Sequence, residues 1–341
     1  MKLIIQVPCL NEEESLPRLL SELPREVEGF DRVEWLVIDD GSTDDTIEVA
    51  RRHGVDHLVR LTTNKGLATA FQAGLDAALK LGADVIVNTD ADNQYRSEDI
   101  PRLVEPILGL RADMVVGDRQ VRSIEHFSPT KKLLQRLGSW VVRRASNTDV
   151  LDTTSGFRAY NREAALQLVV VSRYTYTLES LIQAGKMSVA LEDVPISTNP
   201  TDRESRLVDS TSTYVRRNAF AIFRAYTLYE PLRVFMILAG VFGVLALAAW
   251  SPFLFDWIVN GDRSGHIQSL ILGAVLMLAA VQMFALGIIG DALAGQRAIA
   301  QRVYERVRRL ELEAGVPPAH YERLAVDRPL TVETIETSIA Q

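Results

Sequence analysis

The sequence contains a single cysteine among its 341 residues, Cys9. One thiol excludes an intramolecular disulfide and a metal site built from paired Cys-x-x-Cys ligands. A net positive charge is also absent, because the formal charge is −7, and this argues against a general nucleic-acid-binding protein. The first apolar stretch, Leu3–Ile5, is too short for a signal peptide, so we expect the N-terminal part of the chain to stay in the cytosol.

Hydrophobic residues make up 47% of the sequence and charged residues 24%, which is enough apolar material for a folded core. Short apolar runs alternate with longer amphipathic ones, and this order predicts a doubly wound α/β domain with a mostly parallel sheet over residues 1–208. Ligands of such sheets bind beyond the carboxyl ends of the strands. The predicted strands include Leu3–Val7, Trp35–Ile38, Val85–Val87 and Met114–Val116, and the predicted helices are Glu12–Leu23, Asp44–Arg52, Leu67–Leu81 and Ser97–Leu108.

Two long apolar runs follow this domain. Pro231–Phe255 contains one charge, Arg233, and Ile267–Gly290 contains none. A membrane-spanning helix needs roughly 20 apolar residues, so we predict a transmembrane hairpin over residues 231–290. The alternative is a pair of buried helices in a soluble domain, which rarely lack charge over such a length.

The segments that flank the hairpin are rich in arginine, whereas the short link between the two runs contains only Arg263. Basic residues favour the cytosolic side, so we expect an integral membrane protein with its catalytic domain and both termini in the cytoplasm. Residues 209–230 suggest an amphipathic helix on the membrane surface or, alternatively, a helix packed on the catalytic domain. Residues 291–341 suggest a long helix and a tail, which either mediate homo-oligomer formation or pack on their own chain.

The strongest chemical signal directly follows an apolar strand, in the segment Asn88–Gln94. Asp90 and Asp92 would project two carboxylates into the crevice, where a divalent cation relieves their repulsion. Gln94 could add a neutral oxygen. The alternative is a solvated acidic turn.

Three other strand ends carry polar groups. Asp40 could reach a base or a ribose hydroxyl, and Glu12 lies at a helix start, where a negative charge is favourable without any ligand. Gly66 lets the backbone approach a ligand closely, and Lys65 could meet a phosphate or a base. The alternative for the loop of Lys65 and Gly66 is an ordinary surface loop, and residues Ser42 to Asp44 also suit the N-cap of the following helix.

Taken in order, the motifs resemble those of the family 2 glycosyltransferases of the dolichol-phosphate mannose synthase type, over roughly residues 3–208. The two spans resemble those of the subgroup that carries a membrane hairpin. Leu178-Glu179 departs from the usual Met-Glu pair, so the resemblance does not determine which residues form the sugar pocket. The motifs that carry the resemblance are Pro8–Glu13, Asp39–Ser42, Asn64–Leu67, Asp90–Asp92, Gly117–Arg119, Thr154–Arg158, Val194–Ile196 and Arg203–Arg206.

The resemblance implies a GT-A fold, a nucleotide-sugar donor, Mg²⁺ or Mn²⁺, and a dolichyl or undecaprenyl phosphate as the acceptor. It assigns the metal to Asp90, Asp92 and Gln94, and catalysis to Asp92, Arg119 and Arg206. It assigns the donor to Pro8, Leu10, Asn11, Glu12, Asp40, Lys65, Gly66, Asp90 and Ala91. It assigns the acceptor phosphate to Arg119, Lys131, Arg158 and Arg206, with a purely structural role as the alternative for Arg158.

We therefore expect an inverting displacement in which the acceptor phosphate, already an anion, needs no strong general base. The charged segment Arg119–Gln135 suits a mobile lid or, alternatively, a rigid exposed loop. Two other functions stay open. One is a membrane glycosyltransferase with a saccharide or another lipid as acceptor, and the other is a non-catalytic membrane scaffold on the same fold.

Overall fold

The structure, a computed structural model, describes residues 1–120, 150–170, 176–187, 189–199, 227, 229–260 and 266–324. Lys131, Arg206, most of the predicted helix at 209–230 and most of the predicted lid lie outside the described residues. The chain divides into two compact units. The first comprises residues 1–132, 146–205 and 307–341, and the second comprises residues 133–145 and 206–306.

The first unit is built on an eight-stranded sheet in the order β7-β5-β6-β4-β1-β2-β3-β8. Strand β1 lies between β2 and β4 and is parallel to both, whereas β6 is antiparallel to β4 and β5. The predicted α/β architecture is confirmed, with a sheet that is mixed. The strands are β1 Lys2–Cys9, β2 Arg32–Asp39, β3 His57–Arg60, β4 Val85–Asn88, β5 Met114–Asp118, β6 Arg158–Asn161, β7 Leu191–Pro195 and β8 Tyr321–Arg323.

The helices of the first unit cover both faces of this sheet. Helix α1 begins four residues after the predicted start, and the predicted helix at Ser97–Leu108 begins with a short 3-10 turn, Ser97–Asp99. The helices are α1 Leu16–Glu22, α2 Thr46–Arg52, α3 Leu67–Lys80, α4 Ile100–Leu108, α5 Arg162–Gln167 and α6 Thr177–Lys186.

Alternate residues of the central strand pack into two different cores. Leu3, Ile5 and Val7 of β1 join the core on the side of α1 and α4, whereas Ile4 joins the core on the side of α3 and α6. Successive side chains of a strand point to opposite faces, so a strand buried on both sides reads as one apolar run. This explains why the sequence of β1 is apolar almost without interruption. Gln6 is the exception, and it is fully buried.

Residues 307–324 form part of the first unit. Helix α8, Ile267–Glu313, continues without a break from the second predicted span, and its residues from Val307 onwards belong to this unit. Arg308 is 3% exposed and donates hydrogen bonds to the carbonyl oxygens at the end of α5, those of Ala165, Leu166 and Leu168, at 3.0–3.3 Å. Strand β8 then pairs antiparallel with β3. The sequence left open whether this region packs on its own chain, and residues 307–324 do so.

The second unit contains helix α7, Pro231–Phe255, and the part of α8 that precedes Val307. Both helices are long and apolar enough to cross a membrane, and most of their side chains are exposed, unlike those of a core helix. Glycine residues of α8 lie against α7, where Gly273 lies under the ring of Trp250 and Gly290 against Pro231. The indole nitrogen of Trp250 also donates to the carbonyl oxygen of Leu270 at 3.1 Å.

Candidate active site

The predicted metal ligands lie in one turn after β4, which we call the metal turn, Asp90–Gln94. Asp90 is half-buried and Asp92 is exposed. The Oδ1 atom of Asp92 accepts a hydrogen bond from the backbone N–H of Gln94 at 3.0 Å, and Asn93 adopts a left-handed conformation with φ 54°. Among the described residues, no three His, Cys, Asp or Glu side chains are grouped to hold a metal ion. The turn therefore offers two carboxylates and leaves any remaining coordination to other oxygens.

The carboxyl group of Asp90 has an unusual proton affinity. Burial, followed by the negative charge of Asp92, raises the pKa of Asp90 from 3.8 to about 7. Arg119, Arg158 and a hydrogen bond with Tyr95 oppose this shift. A carboxylate that takes up a proton so readily would also gain from a cation beside it. The donor set fits Mg²⁺ or Mn²⁺, because such ions use one or two protein carboxylates together with phosphate oxygens.

Gly156 lies directly against the metal turn. A Cβ atom built on it would lie 2.8 Å from Oδ2 of Asp90 and 2.7 Å from the hydroxyl oxygen of Tyr176. The backbone N–H of Gly156 donates to the hydroxyl oxygen of Tyr95 at 3.0 Å. The ring of Tyr95 is stacked on that of Phe157, with 5.2 Å between centroids. Only glycine leaves room for the carboxylate here.

A buried polar network supports this contact from inside the sheet. The amide nitrogen of Gln6 donates to Oδ1 of Asn88 at 2.8 Å. The amide nitrogen of Asn88 donates to the carbonyl oxygen of Gly156 at 2.8 Å and to the hydroxyl oxygen of Tyr176 at 2.9 Å. Gln6, Asn88 and Tyr176 are at most 1% exposed. Hydrogen bonds in such a setting favour a single arrangement, so the network fixes the ends of β1, β4 and β6 relative to each other.

This network was not among the predicted site residues, although the sequence contains a signal for it. Gln6 and Asn88 are polar residues inside two strands that are otherwise almost entirely apolar. A buried amide must find partners, and these two find each other across neighbouring strands.

The loops after β1 and β2 are joined by hydrogen bonds. Asn11 has φ 55° and donates its backbone N–H to Oγ of Ser42 at 2.9 Å, while its Oδ1 atom accepts from the backbone of Thr43 at 2.8 Å. The backbone N–H of Glu12 donates to Oγ1 of Thr46 at 2.8 Å. Of the neighbouring residues assigned to the donor, Pro8 is buried within β1 and Leu10 is half-buried. These hydrogen bonds hold the loop after the first strand in place at the carboxyl end of that strand.

Asp40 connects this surface to the loop after β3. Its two carboxylate oxygens accept hydrogen bonds from the backbone N–H groups of Lys65 and Gly66, each at 2.8 Å. Asp40 is 3% exposed, whereas Lys65 is exposed. Gly41, with φ 80°, packs on the backbone of Thr63, 2.7 Å from where its Cβ atom would stand. The structure therefore brings together the strand-end loops that the resemblance assigned to the nucleotide, and it gives Asp40 an additional role as their connector.

Arg119 is paired with Asp152, a carboxylate that none of the sequence motifs identified. Its Nε and Nη2 atoms donate to the two oxygens of Asp152 at 2.6 and 3.0 Å, and Nη2 also donates to Oγ1 of Thr154 at 2.8 Å. Burial opposes both charges, but the pairing outweighs it, raising the pKa of Arg119 and lowering that of Asp152. The charge of Arg119 also acts on Asp90. The structure thus fixes an arginine that is paired with a carboxylate and whose charge acts on the metal turn.

Arg158, which the resemblance assigned to the acceptor phosphate, is fully buried at the start of β6. Its guanidinium donates to the carbonyl oxygens of Thr153, Ser155 and Thr177 and to Oγ of Ser180, at 2.7–3.1 Å. A side chain with no exposed surface cannot meet an incoming lipid phosphate without rearrangement. These contacts favour the structural role that stood as the alternative for Arg158. Lys131 and Arg206, the other two basic residues assigned to the acceptor besides Arg119, lie outside the described residues.

Residues 4–169 match the family described as glycosyl transferase family 2. The undecaprenyl-phosphate mannosyltransferase of Micrococcus luteus is 30% identical over 207 residues, which cover 58% of this chain and 83% of that protein. The dodecaprenyl-phosphate galacturonate synthase of Rhizobium johnstonii is 25% identical over 303 residues, which cover 86% of this chain and 88% of that protein.

Among solved structures, a glucosyl-3-phosphoglycerate synthase from Mycobacterium tuberculosis bound to UDP has a TM-score of 0.54 and 22% identity, covering 66% of this chain and 80% of that one. A second structure of that enzyme contains Mn²⁺, UDP-glucose and phosphoglyceric acid, and has a TM-score of 0.53 at 23% identity, covering 66% and 79% of the two chains. At this level of identity the likeness establishes a shared fold and nothing more.

Proposed function

Because the chain belongs to glycosyltransferase family 2, we propose that its site transfers a sugar from a nucleotide-sugar to a polyprenyl phosphate, with inversion at the anomeric carbon. The observation that carries the proposal is the metal turn, in which Asp90 and Asp92 follow β4 at the same end of the sheet as the loops that follow its parallel neighbours β1, β2 and β3. Relatives named for transfer of mannose and galacturonate to polyprenyl phosphates support the acceptor class.

The donor nucleotide would lie on the connected strand-end loops. Pro8 lies near the end of the first strand, Leu10, Asn11 and Glu12 follow that strand, and Asp40 holds the backbone of Lys65 and Gly66. These loops carry hydrogen-bonding groups and one exposed cation, Lys65, which suits a base, a ribose and phosphates. Asp90 and Ala91 would meet the donor from the metal turn.

Asp90, Asp92 and Gln94 would hold a Mg²⁺ or Mn²⁺ ion. Such an ion, when bound, neutralises charge on the diphosphate leaving group. Arg119, kept in place by Asp152, contributes a second positive charge close to the same point. Donor and acceptor are both anionic, so fixed positive charge is what the site must supply before the two can approach each other.

The chemical step is a single displacement. An oxygen of the acceptor phosphate forms a bond to the anomeric carbon, while the bond from that carbon to the donor's terminal phosphate oxygen breaks and the nucleoside diphosphate leaves with the electron pair. The attacking oxygen is already anionic at neutral pH, so no proton needs to be removed. The residues of the chain therefore act by orientation and electrostatics. Arg119 and Arg206 would orient the acceptor, with Lys131 as a further candidate.

Membrane anchoring is consistent with a lipid acceptor that cannot leave the bilayer. Residues 307–324 belong to the same compact unit as the sheet that precedes the hairpin. A chain that leaves a compact unit and returns to it must cross the membrane an even number of times. Two spans would therefore leave the segments before and after the hairpin on the same side of the membrane. Arg297, Arg302 and Arg306 follow the second span, whereas the link carries only Arg263, and this distribution favours the cytosol for that side.

The direct test is transfer of radiolabelled sugar from a panel of nucleotide-sugars to polyprenyl phosphate in detergent, with Mn²⁺ or EDTA. We expect a lipid-soluble product that EDTA abolishes and that Asp92→Asn reduces by about 100-fold or more, because one of two carboxylate ligands is lost. Glu98→Gln is the matched control, since it neutralises an exposed carboxylate outside the metal turn.

Three outcomes would overturn parts of the proposal. Nucleotide binding without any lipid product would refute the acceptor and favour a saccharide or another lipid. Absence of both transfer and metal-dependent donor hydrolysis, despite correct folding, would favour a non-catalytic scaffold. Equal loss of activity in Glu98→Gln and Asp92→Asn would contradict the metal assignment.

A further inference from the structure

The residues that follow β7 pack against the metal turn. We call Ser197–Asn199 the clamp segment. The backbone N–H of Asn199 donates to the carbonyl oxygen of Gln94 at 2.9 Å, and its side-chain nitrogen donates to the carbonyl oxygen of Asn93 at 3.1 Å. The Oδ1 atom of Asn199 accepts from Nε of Arg96 at 3.2 Å. One half-buried asparagine thus contacts three residues in or directly after the turn.

Two further contacts hold the clamp segment in place. Thr198 forms an isolated antiparallel bridge with Tyr95, and the backbone N–H of Ser197 donates to Oδ2 of Asp99 at 2.7 Å. Asp99 is 7% exposed and Tyr95 is 2% exposed. The clamp segment is therefore attached to the buried base of the turn, so Asn199 acts from a fixed support.

The contacts of Asn199 lead to a metal ligand through one intermediate group. The backbone N–H of Asn199 holds the carbonyl oxygen of Gln94, and the N–H of Gln94 donates to the carboxylate of Asp92 at 3.0 Å. The side chain of Asn199 adds the bond to the carbonyl oxygen of Asn93, and this is the bond that a substitution at position 199 removes. Asn93, between them, has φ 54°, a left-handed conformation that costs free energy unless neighbouring contacts impose it. Without the bond to its carbonyl oxygen, Asn93 would be freer to return to an ordinary conformation, and Asp92 and Gln94 would move with it.

We propose that Asn199 is a positioning residue that holds the metal turn in the shape that binds the divalent ion. The inference rests on the proposed function, because it assumes that Asp90, Asp92 and Gln94 are the ligands. Two neighbouring carboxylates repel each other in the absence of an ion, and a turn that must also order itself on binding loses affinity. Residues that orient metal ligands typically change affinity by about 10- to 100-fold when removed.

The test measures Mn²⁺ binding to the full-length protein in detergent, from the electron paramagnetic resonance signal of the free ion, with and without UDP. Asn199→Ala should raise the dissociation constant for Mn²⁺ by roughly 10-fold or more. Asn199→Asp should do the same, because it keeps the acceptor for Arg96 but cannot donate to Asn93. Arg96→Ala removes only the third contact and should bind Mn²⁺ like the wild type.

A second readout separates positioning from general destabilisation. We expect excess Mn²⁺ to restore sugar transfer by Asn199→Ala to nearly the wild-type rate, with little change in the thermal unfolding midpoint of the metal-free protein. A variant that had lost its fold would not recover with added metal.

The outcomes distinguish this inference from the proposed function. If Asp92→Ala loses Mn²⁺ binding while Asn199→Ala stays within about twofold of the wild type, the inference is wrong and the metal site stands. If Arg96→Ala weakens binding and Asn199→Asp does not, the bond to Asn93 is not the important one, and the inference is again wrong. If Asp92→Ala binds Mn²⁺ as tightly as the wild type, the metal assignment itself fails and the inference fails with it.

Discussion

Replacing Gly156 with alanine tests the architecture beneath the metal turn with a single methyl group. The new Cβ atom would lie 2.8 Å from Oδ2 of Asp90 and 2.7 Å from the hydroxyl oxygen of Tyr176, whereas ordinary contacts begin at 3.4 Å. The carboxylate must move by about 0.6 Å and the hydroxyl by about 0.7 Å, or the strand end must shift instead. Tyr176 accepts a hydrogen bond from buried Asn88, so it has little freedom to move.

Two magnitudes follow from this geometry. Insertion of a methyl group into a packed interior costs about 1–3 kcal/mol of folding free energy. Misplacement of a catalytic group by ~1 Å costs about 100-fold in rate, so we expect a loss of transfer of at least about 10-fold for a shift of this size. Mn²⁺ affinity should fall as well, because the displaced carboxylate belongs to Asp90.

The assay compares thermal unfolding, Mn²⁺ binding and sugar transfer for Gly156→Ala with those for Gly295→Ala, where no atom lies within 4 Å of the new Cβ atom. The double variant with Tyr176→Phe removes the hydroxyl from the crowded position and should recover part of the lost stability. It should not recover the metal affinity, because the clash with Asp90 remains. Unchanged Mn²⁺ affinity and transfer in Gly156→Ala would refute the view that this glycine makes room for the metal-binding carboxylate.

Three further predictions follow from other contacts. The raised pKa of Asp90 means that the folded, metal-free protein binds more protons than the unfolded chain between pH 3.8 and about 7. The free energy of unfolding should therefore fall through that window as the pH rises, and it should fall less in Asp90→Asn. Thermal melts at several pH values measure this difference. Asp152→Ala leaves the mostly buried charge of Arg119 without its carboxylate and should cost about 3 kcal/mol in denaturant unfolding. Gly273→Leu drives a side chain into the ring of Trp250 and should separate the hairpin helices, read as lost disulfide cross-linking between cysteines introduced into α7 and α8.

A different result would contradict each of these three predictions. Parallel pH profiles of wild type and Asp90→Asn would show that this carboxyl does not titrate in the window. Equal stability of Asp152→Ala and wild type would mean that the ion pair contributes no net stabilisation. Gly240→Leu, at a position with open space around it, is the control for the hairpin, and an equal loss of cross-linking there would remove the packing argument.

Much of the fold could be predicted from the sequence because its signals are local. The apolar run of β1 and the two long apolar helices need only hydrophobicity and length, and Pro231–Phe255 begins and ends as predicted. Helix α3 was predicted to within one residue at its end, since its start is marked by Gly66 and its apolar face repeats regularly. The 3-10 turn Ser97–Asp99 was missed because its backbone is shaped by contacts outside the helix, such as that of Asp99 with Ser197.

The sequence by itself determined the chemistry available to this protein: the two carboxylates of the metal turn, the polar strand ends and the apolar hairpin. Only the tertiary structure decided which groups are paired. Arg119 meets Asp152, Arg158 is enclosed by carbonyl oxygens, and Asn199 reaches the metal turn. Strand β8 contains three residues, too few for a periodic pattern, and it pairs with a strand more than 250 residues earlier in the chain. Such pairings depend on how distant segments meet across the sheet, and no local pattern of residue types encodes that.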